Sequence, residues 1–383
     1  MTEPAHKILV RKYLDWEKVS NRLSRYEYIR KHYNLKALQD CSEKSPYYCH
    51  YLAWRLGTWE NENWFIFFDE LIKDGNSLSN WNNKIKAEDP SKRYEYEKFF
   101  HFLWELQVAK LFSEIKGVSV EWTLSGPDLK ISSDGKTFYI ECYTVTKSFG
   151  IELFIKELLN QIHHSIEILH TSCITFSLPR KNAADTEKFL NDIFSPYLNP
   201  CFIDNKLKEA EKEWPVLLPT PQGIDNCYIY VKGNIQAEYI SGRLPNASGI
   251  PENYLAVCFK EAIEAKAKRN SNNLSQHPNV LLAINFLLST DFQGAANRQN
   301  ELKELEISAP ITLCDFGNTI DGIFFSACGI NGVPSLENSY LKIKAGIEHP
   351  ILSLDEKFNL LSAKGDSFFS QDGQCTQVVG KFT

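Results

Sequence analysis

The sequence predicts an α/β or α+β protein in which a cluster of strands is flanked by helices and preceded by a helical N-terminal region. Three observations predict it. Apolar and aromatic residues recur at helical spacing over roughly the first 90 positions, as in Trp64, Phe65, Phe67, Phe68, Leu71 and Ile72. A long helix-patterned run follows, and beyond it short alternating or wholly apolar runs are interleaved with helix-patterned segments.

In chain order, residues 1–90 form the helical region, with Asp74-Gly75-Asn76-Ser77 ending its last long helix and a polar stretch reaching Arg93. This stretch is the expected domain boundary. A helix is predicted from Tyr94 to Ile115, stopped by Gly117 in the place a helix C-cap favours. Strands are predicted at 118–123, 128–131 and 138–145, a helix from Ile151 to about His170, and a strand at Cys173–Leu178. Residues 199–225 carry prolines and turn formers and read as an insertion. After it come a strand at Cys227–Val231, a helix at about Asn253–Arg269 and a buried strand at Val280–Leu287. Further strands are predicted at Ile311–Cys314, Gly322–Phe325 and Tyr340–Ile343. The main domain thus runs from 91 to 350, and 351–383 is a C-terminal extension.

Bulk properties narrow the function classes. A 383-residue chain with 43% hydrophobic and 23% charged residues has the composition of a folded protein with a large core. The net charge of −6 argues against a protein that coats nucleic acid non-specifically, though a local basic groove is compatible with it. The first 40 residues carry nine Lys/Arg against five acids, which reads first as a solvated helical face. Ten cysteines include no Cys-x-x-Cys pair, and several lie in apolar runs, so a reducing compartment without disulfides is expected. No apolar leader and no run of about 18 apolar residues is present, so the expectation is a cytoplasmic protein with no membrane partner.

The chemistry centres on residues 126–143. Asp134-Gly135 between two alternating runs is a hairpin signal, and a two-residue turn there pairs Ser133 with Lys136. The same register sets Leu129 opposite Ile140, Ile131 opposite Phe138, and Asp128 opposite Glu141. One face is then apolar, and the other carries Asp128, Lys130, Tyr139, Glu141 and Tyr143. Carboxylates facing each other at roughly 5 Å repel. Either that face is wet, or a hard divalent cation, which prefers oxygen ligands, lies between them. Glu105 favours the second reading. Its helical neighbours His101, Phe102, Val108 and Ala109 make a largely apolar face, where an acid needs a salt-bridge partner or a metal.

A helix bearing Glu105, then Pro127-Asp128 on one strand and Glu141-Cys142-Tyr143 on the next, resembles the PD-(D/E)XK nuclease superfamily. That superfamily spans restriction endonucleases, repair and recombination nucleases and many phage-defence proteins. The likeness continues in a Lys-bearing helix (Lys260, Lys266, Lys268) and the Val280–Leu287 strand, and covers about residues 95–345. It implies an α/β fold with a restriction-endonuclease-like mixed central sheet flanked by helices, and metal-dependent hydrolysis of phosphodiesters, with DNA a better candidate than RNA. It also implies Mg²⁺ or Mn²⁺ held by Asp128, Glu141, the carbonyl of Cys142 and Glu105. Tyr143 stands where the family has its catalytic lysine, and a phenol offers no fixed cation at working pH. Some members relocate that lysine; Lys130, on the same hairpin face, is the expected substitute, and Lys147 the next. The alternative is a degenerate member that binds nucleic acid or protein without cutting. The aromatic-rich N-terminal region is the surface expected to serve a homodimer or another protein partner.

Other signals carry less. Asp315-Phe316-Gly317 matches a kinase triplet by letter but lacks the accompanying motifs. His163, His164 and His170 on a predicted helix, and Cys41, Cys49 and His50, have no zinc-site spacing around them.

Overall fold

A computed structural model of the chain describes residues 14–44, 49–58, 62–87, 96–145, 167–173, 216–217, 227–232, 266, 274–286, 319–326, 339–343, 347–354 and 379–381. The chain divides into two compact units. One comprises Met1–Asn61, Pro90–Tyr96 and Lys147–Glu252; the other comprises Glu62–Asp89, Glu97–Thr146 and Asn253–Thr383.

The helical N-terminal region forms as expected, through α1 (Trp16–Leu23), α2 (Glu27–His32), α3 (Leu35–Lys44), α4 (Tyr51–Thr58), α5 (Glu62–Ser77) and α6 (Trp81–Ala87). Asp15 caps α1 by accepting the Lys18 N–H at 3.0 Å. Helices α1 to α4 belong to the first unit, where Val19, Ile29, Leu38, Leu52 and Leu56 are buried. The units cut across the boundary expected near residue 90, because α5 and α6 cluster with the second unit.

The second unit continues with α7 (Tyr96–Ser113), β1 (Val118–Trp122), β2 (Leu129–Ser133) and β3 (Lys136–Val145). In the first unit, β4 (Glu167–Cys173), β5 (Val216–Leu217) and β6 (Cys227–Lys232) form an antiparallel three-stranded sheet in the order β4-β6-β5. Residues 167–170 are therefore strand, not the end of a helix, and His170 lies in β4 with a register shift beside it. The expected helix at 151–166 and the strand continuing to Leu178 lie outside the described residues, as does Ile311–Cys314. The expected insertion supplies β5; the rest of 199–225 lies outside the described residues.

The second unit closes with β7 (Val280–Phe286), β8 (Gly322–Ser326), β9 (Ser339–Ile343), a 3₁₀ turn (Pro350–Leu354) and β10 (Val379–Lys381). Its sheet has the order β1-β2-β3-β7-β8-β9-β10. It is mixed: β3, β7 and β8 run parallel, and the flanking pairs are antiparallel. The terminal segment expected as an extension thus donates an edge strand. Val280 to Ile284 are buried at every position, so the parallel centre is covered on both faces, as a continuous apolar run requires.

Helix α7 is apolar around nearly its whole circumference and is buried accordingly. The Trp104 ring stacks on Phe324 with centroids 6.3 Å apart, and its indole N–H donates to the Ala283 carbonyl at 2.9 Å. Phe112 meets Phe138 edge-on at 5.8 Å. These contacts tie the helix to β3, β7 and β8 and set the face from which Glu105 projects.

Candidate functional site

The β2–β3 hairpin has the register read from the sequence. Leu129 pairs with Ile140, Ile131 with Phe138 and Ser133 with Lys136. Asp134 and Gly135 both have positive φ, 50° and 76°, the backbone of a turn whose twist matches its strands. Leu129, Ile131, Phe138 and Ile140 are all buried on one side. One step beyond the ladder, Asp128 and Glu141 stand across from each other. The Asp128 Oδ2 accepts the backbone N–H of Cys142 at 2.8 Å, which pins the carboxylate against β3.

Two ammonium groups join the acids. Lys84 Nζ lies 2.6 Å from Glu105 Oε2 and 3.3 Å from Asp128 Oδ1, so one cation links helix and hairpin. Lys266 Nζ lies 2.5 Å from Glu141 Oε1 and 5.6 Å from the centre of the Tyr143 ring. Glu105, Glu141 and Lys84 are 7%, 3% and 8% exposed. So dry a cluster of three acids and two lysines persists only because the charges are mutually paired.

Lys84 is placed by the edge of the sheet. Residues 78–80 run beside β1: Ser79 bridges to Glu121 in parallel, the Trp122 N–H donates to the Ser79 carbonyl at 3.1 Å, and the Asn80 side-chain amide donates to the Trp122 carbonyl at 2.9 Å. Asn80 has a φ of 64°, a left-handed turn that Asn tolerates, and α6 starts immediately after it. Trp81 packs on Trp122 and Phe102, and the Lys84 ammonium lies 5.4 Å from the centre of the Trp122 ring.

Electrostatics separate the two hairpin acids. Burial works to raise Asp128, but Lys84, Lys266 and the Cys142 amide outweigh it and hold the carboxyl below its ordinary value. Glu141 is pushed up to about 7, first by burial and then by the charge of Asp128, against the pull of Lys266. Burial opposes the charge on Lys266, but Glu141 and Asp128 prevail and its pKa is raised. The Cys142 thiol is pushed well up by burial and by the surrounding acids, so its sulfur is no nucleophile.

Of the residues expected at the site, Glu105, Asp128, Glu141 and Cys142 come together. Lys130 does not join them. It pairs with Glu121, its direct cross-strand neighbour on β1, and that hydrogen bond raises its pKa. Lys147 lies outside the described residues. Lys84 carried no sequence signal, since its segment reads as a polar connector. Lys266 lies in the predicted Lys-bearing helix, without a spacing that aims it at Glu141.

Among the described residues, no three His, Cys, Asp or Glu side chains form a ready-made metal centre. The carboxylates are nonetheless hard oxygen donors on convergent elements, a donor set that suits Mg²⁺ or Mn²⁺ in kind. Also among the described residues, no helix is long and apolar enough to cross a membrane. No protein-family model, curated protein or solved structure matches the chain.

Proposed function

We propose that the chain is a metal-dependent nuclease of the PD-(D/E)XK type, with a restriction-endonuclease-like sheet, acting on DNA. The observation that carries this reading is the position of Lys266. Its ammonium touches Glu141 and sits over the ring of Tyr143, the residue that stands where the family has its lysine. The cation missing from β3 is thereby supplied from another segment of the chain.

In this reading Asp128 and Glu141 would hold Mg²⁺ or Mn²⁺, with Glu105 completing the set. The Cys142 carbonyl also fits, because in extended backbone it leaves β3 on the same side as the N–H that meets Asp128. A metal held there would supply a water of lowered pKa and charge to offset the phosphate. Lys266 orients the attacking water and balances the charge that develops on the phosphate. The Cys142 amide keeps Asp128 ionised and aimed, and the paired lysines keep the acid cluster folded before substrate arrives. A cytoplasmic location and a role in phage defence accord with this activity.

Cleavage of plasmid and single-stranded DNA with Mg²⁺ or Mn²⁺ tests the proposal. Asp128→Ala and Glu141→Ala abolish cleavage, and Lys266→Gln slows it by about a hundredfold or more. The two ammonium groups that already satisfy the acids favour one other reading, a degenerate fold that binds without cutting. Folded wild-type protein that cleaves nothing with either metal, yet retains DNA in a salt-sensitive manner, establishes that reading instead.

A further inference from the structure

We propose that Lys84 is a tethered stand-in for the divalent cation, which keeps the acid cluster neutralised when metal is scarce and must swing out for metal to enter. The inference rests on the metal reading given above. Lys84 and Lys266 differ in what they touch. Lys266 engages one acid from beside Tyr143, whereas Lys84 bridges two acids from different elements, Glu105 on α7 and Asp128 ahead of β2. Bridging oxygens from two elements is what a resident metal does. An ammonium at 2.6 and 3.3 Å from those carboxylates and a metal about 2.0–2.1 Å from the same oxygens compete for one volume, and their like charges repel.

The side chain is suited to leaving. Lysine carries a compact charge on a flexible four-carbon stem, with none of the planar fork by which arginine grips a carboxylate. The ring of Trp122 lies beneath the ammonium, and α6 is fixed to β1 through Asn80, so the backbone stays in place while the stem rotates. Lys84 thus sets a threshold: the site folds without metal, and occupancy requires enough metal to displace a neighbour held at very high local concentration.

The test uses the full chain and Mn²⁺ alone. Lys84→Met preserves the stem and removes the charge. The variant melts lower than wild type in chelator, binds Mn²⁺ about tenfold more tightly by calorimetry, and gains more melting temperature from Mn²⁺ than wild type does. A second measurement requires no variant: modification of Lys84 by acetic anhydride, read by mass spectrometry, rises when saturating Mg²⁺ is added to wild type. Equal Mn²⁺ affinity in the two proteins, or Lys84 labelling unchanged by Mg²⁺, overturns the stand-in role and leaves the metal site intact. Absence of Mn²⁺ binding in both, with Lys84→Met folded, overturns the metal reading beneath it as well. Loss of cleavage at unchanged affinity overturns it differently, by making Lys84 a group that acts on substrate.

Discussion

At the hairpin turn, Gly135 has a φ of +76° and nothing within 4 Å of where a Cβ would stand. Gly135→Ala therefore probes backbone strain alone, and is expected to cost about 1–2 kcal/mol in urea unfolding. Asp134, at a φ of 50°, already bears such strain, and Asp134→Gly should be neutral or stabilising. A different single-residue test concerns Lys130. Its partner is Glu121 at a partly exposed edge, so Lys130→Ala should cost about 0–1 kcal/mol and leave cleavage unchanged; a large loss of cleavage would return Lys130 to the site. The acids were legible at this scale because short side chains follow their backbones. Register sets Asp128 against Glu141, and an acid among Phe102, Val108 and Ala109 has to be paired. The lysines were not legible. A long stem reaches several ångströms from its Cα, so its partner depends on which acid tertiary packing brings near. Lys130 found Glu121 straight across on β1 before it could lean toward Glu141.

Among elements, the strands with the clearest period came out closest to expectation. Val280–Ile284 is a continuous apolar run at the centre of a sheet, where both faces are covered. Residues 167–170 read as the end of a helix because no Gly or Pro separates them from what precedes them, whereas they open the strand 167–173. Its Ile, Thr and Cys fit a strand once a partner is available at β6. The coverage of β1 by residues 78–80 was also hidden in the sequence: a polar connector protects the sheet edge through backbone contacts that need no apolar pattern. Helix α7 is the element on which the site depends most. Trp104→Phe keeps an aromatic ring against Phe324 but removes the donor to the Ala283 carbonyl. Ala283 lies in a strand paired on both sides, so the variant loses one added hydrogen bond, about 0.5–1.5 kcal/mol, and the midpoint of chemical denaturation should fall accordingly. Because Glu105 is the next residue, Mn²⁺ affinity should weaken in the same variant; a loss of stability with affinity untouched would show that α7 seats Glu105 independently of this bond.

Across the whole molecule, each unit buries a histidine in the same way. His50, just ahead of α4, accepts the Leu52 N–H on Nδ1 at 3.2 Å, and His349, just ahead of the 3₁₀ turn, accepts the Ile351 N–H on Nδ1 at 3.1 Å. The Nε2 of His349 meets the Asn279 carbonyl at 3.2 Å, which fits a neutral ring protonated on Nε2. Burial lowers both histidines to about 4, and protonation of Nδ1 would also break the hydrogen bond it accepts. The sign follows from proton counting. Above about 6.5 both rings are neutral whether the chain is folded or not; below it the unfolded chain binds protons that the folded rings refuse until about 4. Glu141, raised to about 7, works in the opposite direction by holding a proton in the folded state that the unfolded chain releases above about 4.5. Two histidines against one glutamate leave about one proton favouring the unfolded chain, and partly exposed His32, also lowered to about 4, adds to the same side. Without metal, stability should thus fall as pH drops from 6.5 toward 4.5, by roughly 1.4 kcal/mol per pH unit for each net proton. Urea midpoints measured by tryptophan fluorescence at intervals across that window would show it. His349→Gln removes one titration from the second unit and His50→Gln one from the first, so each should flatten the fall even where it lowers stability at pH 7. A slope unchanged in both variants would mean that the acid sensitivity resides in carboxylates instead.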